Sequence, residues 1–206
     1  MNQYTITREK FFSKEEMRRL LKVCEKNALT DLKAKRITWV TRTMLVRLAL
    51  FSGLRVSEIA ALRNGDLHFN GKENFLIVQN GKGGRKRDVY LDTDLAKHLQ
   101  DYLEIKKQWR EPTHDEAPLF SGRGGKHYTT TALHISFKKA IEEAGLPKRF
   151  SIHSSRHTYA TFLFAKTKSI RFVQKQLGHA SIATTSLYAD LLPEHNAALA
   201  EAILKA

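Results

Sequence analysis

Cysteine is almost missing: Cys24 is the only one in 206 residues. That excludes a disulfide framework and a thiolate metal cluster. Proline is scarce, with four in the chain, and no low-complexity tract or clear linker divides it. Long hydrophobic runs are also missing. No window approaches the roughly 18 uncharged apolar residues that a membrane span requires. The opening MNQYTITREKFF has no apolar stretch of the kind a signal peptide carries. Acidic residues are the minority charge. Against 21 Asp and Glu stand 35 Lys and Arg, a formal net charge of +14. Such an excess points to a polyanionic partner, nucleic acid before an anionic membrane surface, although a merely soluble basic protein would also account for it. The hydrophobic fraction of 42% is ordinary for a globular chain, and the simplest expectation is a soluble, reduced, cytoplasmic protein.

The pattern along the chain reads as mainly α with a small antiparallel β-sheet. Ser13 followed by Glu16 forms a capping box that opens a helix to about Cys24. Trp39, Met44, Leu45, Leu48 and Ala49 recur at helical spacing, and Gly53 ends that run. A short helix follows over Ser57–Leu62. The texture then changes in LHFNGKENFLIVQNGKGGRKRDVYL, where Asn70-Gly71 and Asn80-Gly81 are turn signals between apolar runs. These predict a small sheet with its last strand at about Arg87–Leu91. Further helices are expected at Asp94–Trp109, Thr130–Ala144, Ser154–Lys166, Ile170–Leu177 and near Ser181–Leu187, with a tail helix from Pro193. The body carries the positive charge; the tail 190–206 has Asp190, Glu194 and Glu201 against Lys205.

Chemistry-bearing residues gather in SIHSSRHTYATF, residues 151–162. His153 and His157 have the spacing of a two-histidine metal site. Arg156 between them would repel a dication, and Ser154 stands where the metalloprotease pattern needs Glu. A surface turn is the plainer reading. A phosphate grip is the sharper one, because helix N-terminal N–H groups and an Arg fork together bind phosphate oxygens. FSGLRVSEIAALR adds Arg55 and Glu58, which alone read as a salt bridge. QNGKGGRKRDVYL adds Lys82 at a hairpin tip, without Walker-loop spacing. LGHASIATTSLYADL adds His179 and Tyr188, and a lone tyrosine there would ordinarily be packing.

Taken in order, SGLRVSE, GKGGRKRDVYL, HSSRHTYAT and QLGHASIATTSLYA resemble the catalytic domain of the tyrosine site-specific recombinases, the family of phage integrases and Xer-type recombinases. The four blocks span residues 52–189. The resemblance implies that fold, and metal-free transesterification through a 3′-phosphotyrosine with no cofactor. It implies Tyr188 as nucleophile, Arg55 and Arg156 as clamps on the non-bridging oxygens, and Lys82 as general acid on the leaving 5′-oxygen. His153 and His179 would bond the phosphate, His153 also helping to move the tyrosine's proton, and Glu58 would orient the arginines. Arg85, Lys86 and Arg87 are expected to contact DNA and to lower the Lys82 pKa. These roles suit a reaction whose transition-state charge must be neutralised by side chains. His157 is expected to be an inward-facing structural histidine.

Two departures stand out. The family commonly places a leucine where Ser155 stands, which predicts looser packing there. Arg55 also comes too early for a preceding core-binding domain. That implies a single catalytic domain over 1–206, as a fragment of a longer protein or as a compact recombinase. The resemblance further implies a double-stranded DNA recombination site as partner, four protomers on two such sites, room for accessory proteins, no membrane, and a place with the nucleoid. The tail 190–206 would dock on a neighbouring protomer or pack on its own domain. Two alternatives remain at this level: a non-catalytic DNA-binding regulator on the same fold, and DNA relaxation of the type IB topoisomerase kind.

Overall fold

The computed structural model describes residues 8–71, 73–81, 84–179, 181 and 183–188. Helix α1, Lys14–Lys33, opens on the expected capping box, with the Glu16 N–H donating to Ser13 Oγ and the Ser13 N–H donating to Glu16 Oε2. It runs well beyond Cys24, where the sequence pattern ends it. The reason lies outside the helix. Buried Asp31 accepts hydrogen bonds from the Trp39 N–H at 2.8 Å and Arg36 Nε at 2.9 Å. It thereby supplies the cap that Ile37, the residue preceding the next helix, lacks.

That next helix, α2 (Thr38–Ser52), is buried on nearly every side from Val40 to Leu50. It packs against α1 and against α4 (Thr93–Gln108), α5 (Thr130–Glu143) and α6 (Ile152–Thr167). A helix buried on nearly every side belongs at the centre, and its companions cover it. Gly53 ends it at φ +66°, a left-handed cap. Short α3, Val56–Ala61, follows at once.

The sheet is antiparallel in the order β1 (Leu67–Phe69), β2 (Asn74–Val78), β3 (Arg87–Leu91). The third strand has the bounds that its turn signals predict. Leu76 pairs with Leu67 on one side and Val89 on the other, and Leu76, Val78, Val89 and Leu91 face the core. After α4, buried Lys106 donates to the Pro118 carbonyl at 2.7 Å and the Leu119 carbonyl at 2.9 Å, fixing the long connection to α5.

Helix α7 (Ile170–Leu177) closes on Gly178 at φ +64°, and α8 spans Ala183–Ser186. Around them a second, smaller core gathers Ala160, Phe164, Val173, Leu177 and Tyr188. Ser155 is fully buried, its hydroxyl 3.5 Å from the Ser151 carbonyl. The expected tail helix falls on 190–206, and Lys82 at the hairpin tip; both lie outside the described residues. Among the described residues no helix is long and apolar enough to cross a membrane.

Candidate active site

Helix ends build the site. Arg55 precedes α3, and Glu58 sits one turn in, with its carboxylate buried. Glu58 Oε1 accepts from Arg55 Nη1 at 2.8 Å, and Oε2 accepts from the Arg55 backbone N–H at 2.8 Å. From β3, Arg87 adds a fork: Nη1 donates to Oε1 at 2.8 Å and Nη2 to Oε2 at 2.9 Å. Arg156 Nη1, from α6, stands 4.0 Å from Oε2. Burial pushes the Glu58 carboxyl pKa up, but the hydrogen bonds and charges of Arg87 and Arg55 outweigh it. The net position is below the usual carboxylate range.

The same three guanidiniums close the C-terminal end of α7. Arg87 Nε donates to the Gln176 carbonyl at 3.3 Å, Arg156 Nη2 to that of Leu177 at 2.8 Å, and Arg55 Nη2 to that of Gly178 at 3.4 Å. The final carbonyls of a helix lack intrahelical partners and carry the negative end of its dipole, so they draw cations. Arg156 also donates through Nη1 to the Gly53 carbonyl, behind α2. Burial, then repulsion from Arg55, lowers the Arg156 pKa to about 10, which leaves it charged at neutral pH. Three arginines against one carboxylate leave the cluster with surplus positive charge. A guanidinium has five N–H donors, so Arg55 and Arg156 retain donors for an anion.

His153, exposed on the first turn of α6, lines a cleft of about 260 Å³ together with Arg55, Arg156 and His134. His134, on α5, carries no motif signal and appears only when the helices are assembled. His179 follows Gly178, and its Nδ1 lies 3.0 Å from Thr185 Oγ1. Burial, then Arg156, Arg55 and Arg87, lowers its pKa to about 4, so it is neutral at physiological pH. Its ring stacks beside that of Tyr188 at 6.4 Å between centroids.

Tyr188 is 3% exposed, and its hydroxyl lies 3.0 Å from Nδ1 of His157, itself buried on α6. His157 was expected to be structural, and His153 to serve the tyrosine's proton. In the structure His157 is the imidazole at the hydroxyl, while His153 meets the His157 ring edge-on at 4.3 Å between centroids. Arg87 also differs from expectation. Its guanidinium is committed to Glu58 and the end of α7, whereas Arg85 and Lys86 are exposed. The structure thus brings Arg55, Glu58, His153, Arg156, His179 and Tyr188 into one region from four separate segments.

The chain matches the Phage integrase family over residues 10–195. Tyrosine recombinase XerA of Pyrococcus furiosus is 31% identical over 204 residues, covering 97% of this chain and 63% of that protein. Tyrosine recombinase XerC of Chlamydia caviae is 35% identical over 144 residues, covering 70% of this chain and 45% of that protein. The chain therefore spans about half the length of the curated relatives it matches. Among solved structures, XerA recombinase superposes with a TM-score of 0.72 at 26% identity, over 94% of this chain and 66% of that one. XerH site-specific recombinase, bound to a palindromic difH substrate in a post-cleavage complex, gives 0.73 at 24% identity, over 92% of this chain and 52% of that one. That second likeness is one of fold.

Proposed function

The chain belongs to the phage integrase family, and on that premise we propose that it breaks and rejoins DNA at a specific site through a 3′-phosphotyrosine. The observation that carries the reading is that Arg55, Arg156 and His153 line one cleft while His179, whose pKa those arginines lower, stacks beside Tyr188, from segments up to 133 positions apart along the chain (188 − 55). Each of these residues alone has an ordinary structural explanation; their convergence on an electropositive cleft does not.

In the proposed reaction the Tyr188 Oη attacks a DNA phosphorus. The bond from phosphorus to the 5′-oxygen breaks, and that oxygen leaves with a proton from Lys82. Arg55 and Arg156 neutralise the charge on the non-bridging oxygens, and His153 and His179 donate hydrogen bonds to them. Rejoining is the reverse, with a partner strand's 5′-hydroxyl as the incoming group. Arginine suits the permanent clamp because it keeps its proton, and lysine suits the acid because its pKa shifts readily. The exposed Arg85 and Lys86 beside the Lys82 hairpin serve as backbone contacts in this reading. Assembly on two DNA sites by four protomers, with segment 190–206 contributing to the contacts between them, completes the proposal.

The test is covalent trapping. The protein is mixed with nicked DNA fragments in excess EDTA, and SDS-resistant adducts are sought beside Tyr188→Phe. An EDTA-insensitive adduct that disappears in the variant supports the reading, and sequencing the trapped DNA identifies the site. DNA binding with no adduct from any fragment would overturn it in favour of a DNA-binding regulator.

A further inference from the structure

His157 has no part in the reaction just described, yet it is the imidazole that touches the reacting oxygen. Its Nδ1 lies 3.0 Å from Tyr188 Oη, both residues are at most 5% exposed, and their ring centroids are 5.9 Å apart. His153 is poorly placed for that task. It stands at the exposed mouth of α6 with its ring edge-on to His157, and the cleft it lines is the one shared with Arg55, Arg156 and His134. The two histidines of the HSSRH stretch are thereby divided between two places, one at the phosphate cleft and one at the nucleophile.

We propose that His157 is a catalytic residue, the acceptor of the Tyr188 proton, while His153 serves the phosphate. The inference rests on the tyrosine-nucleophile reading above. As Tyr188 Oη forms its bond to phosphorus, the phenolic proton passes to Nδ1 of His157, whose Nε2 already carries a hydrogen. The P–O5′ bond breaks, and the 5′-oxygen takes its own proton from Lys82. In the reverse step the proton returns from Nδ1 to the phenolic oxygen as the phosphotyrosine bond breaks. No oxidant, metal or further reactant enters the balance.

The surroundings suit a neutral acceptor. Burial first, then His153, Arg156 and Lys10, lower the His157 pKa to about 4, so the free protein holds it unprotonated at neutral pH. An anionic phosphodiester arriving at Arg55 and Arg156 offsets part of that positive field. The imidazole is therefore a better base when substrate is bound than when it is absent. Tyrosine, with an ordinary pKa near 10, needs such a partner where its side chain is buried.

The experiment is single-turnover cleavage of the trapped site by wild type, His157→Ala and His157→Asn, on ordinary DNA and on DNA with a bridging 5′-sulfur. Asparagine can place an oxygen near the Nδ1 position and keep a hydrogen bond, but it cannot take the proton. Both variants should bind DNA like wild type and cleave roughly 100- to 10,000-fold more slowly, the usual worth of a general base. Sulfur leaves without protonation, so it should rescue Lys82→Ala and leave the His157 variants slow. Wild-type cleavage by His157→Asn, or sulfur rescue of His157→Ala, would overturn the proposal.

A second measurement needs neither activity nor a substitution at His157. Nitrogen NMR of the histidine rings should show the His157 Nδ1 signal move in Tyr188→Phe. An unmoved signal would remove the hydrogen bond and the proposal with it. Failure of wild type to form any adduct, with that shift present, would instead count against the recombinase reading.

Discussion

Arg87 grips Glu58 in parallel, Nη1 at 2.8 Å from Oε1 and Nη2 at 2.9 Å from Oε2. The carboxylate is thus the common anchor of Arg87 and Arg55, with Arg156 at its edge. Removing it strands three cations in a largely buried cluster. Glu58→Ala should lose about 3–5 kcal/mol of folding stability, as when one partner of a buried pair is deleted, and Arg87→Ala should lose less. Urea unfolding curves for the two variants check the order. Equal, small losses would show that the anchor is dispensable.

Gly178 should tolerate no side chain. Its φ is +64°, and a Cβ there would stand 2.7 Å from Arg87 Nε and 2.8 Å from its Cδ. The left-handed backbone costs an alanine roughly 1–2 kcal/mol, and relief of the clash requires Arg87 to leave the end of α7. Gly178→Ala is therefore expected to lower stability and, under the proposed function, DNA cleavage by more than the stability loss explains. Unfolding and adduct formation measured on the same preparation separate the two effects.

Lys106 is fully buried, and its ammonium satisfies the carbonyls of Pro118 and Leu119. Burial lowers its pKa, with Glu111 opposing. Lys106→Met keeps the bulk and removes the donors; the Pro118 carbonyl keeps the Ser121 hydroxyl at 3.3 Å, while the Leu119 carbonyl loses its lysine donor at about 1–3 kcal/mol. The expected result is a loss of at least 1 kcal/mol by urea unfolding, with faster amide exchange confined to the connection before α5. An unchanged exchange pattern would show that the connection is held by other contacts.

Acid should weaken the fold before the carboxylates titrate. His157 and His179 both lie at about 4, against 6.5 for an unburied imidazole. Between those values the unfolded chain binds protons that the folded chain refuses, so stability falls as pH drops from about 6.5 toward 4. His157 is faced by His153, Arg156, Lys10 and Tyr188, and His179 by Arg156, Arg55, Arg87 and His157. A urea midpoint that drops between pH 7 and pH 5, and drops less in His179→Asn, is the expected outcome. A midpoint level across that range would contradict the burial of these rings.

Much of this protein is written locally in its sequence. The Ser13–Glu16 capping box, the Gly53 and Gly178 helix stops and the β3 strand at Arg87–Leu91 all follow from neighbours a few positions away. Backbone conformation at a cap or turn depends on local sterics and hydrogen bonding. The four motifs likewise announce the family before any coordinate is known. Other features have no local signature. Helix α1 outlasts its apolar pattern because Asp31 caps a different helix. Arg87 reads as one of a run of surface cations, and only the approach of α3 and α7 turns it inward onto Glu58 and the Gln176 carbonyl. His157 and Tyr188 are 31 positions apart, and nothing in either stretch signals their hydrogen bond. Which cation pairs with which anion, and which imidazole reaches the Tyr188 hydroxyl, are decided by distances between elements, and those distances exist only once the helices have packed.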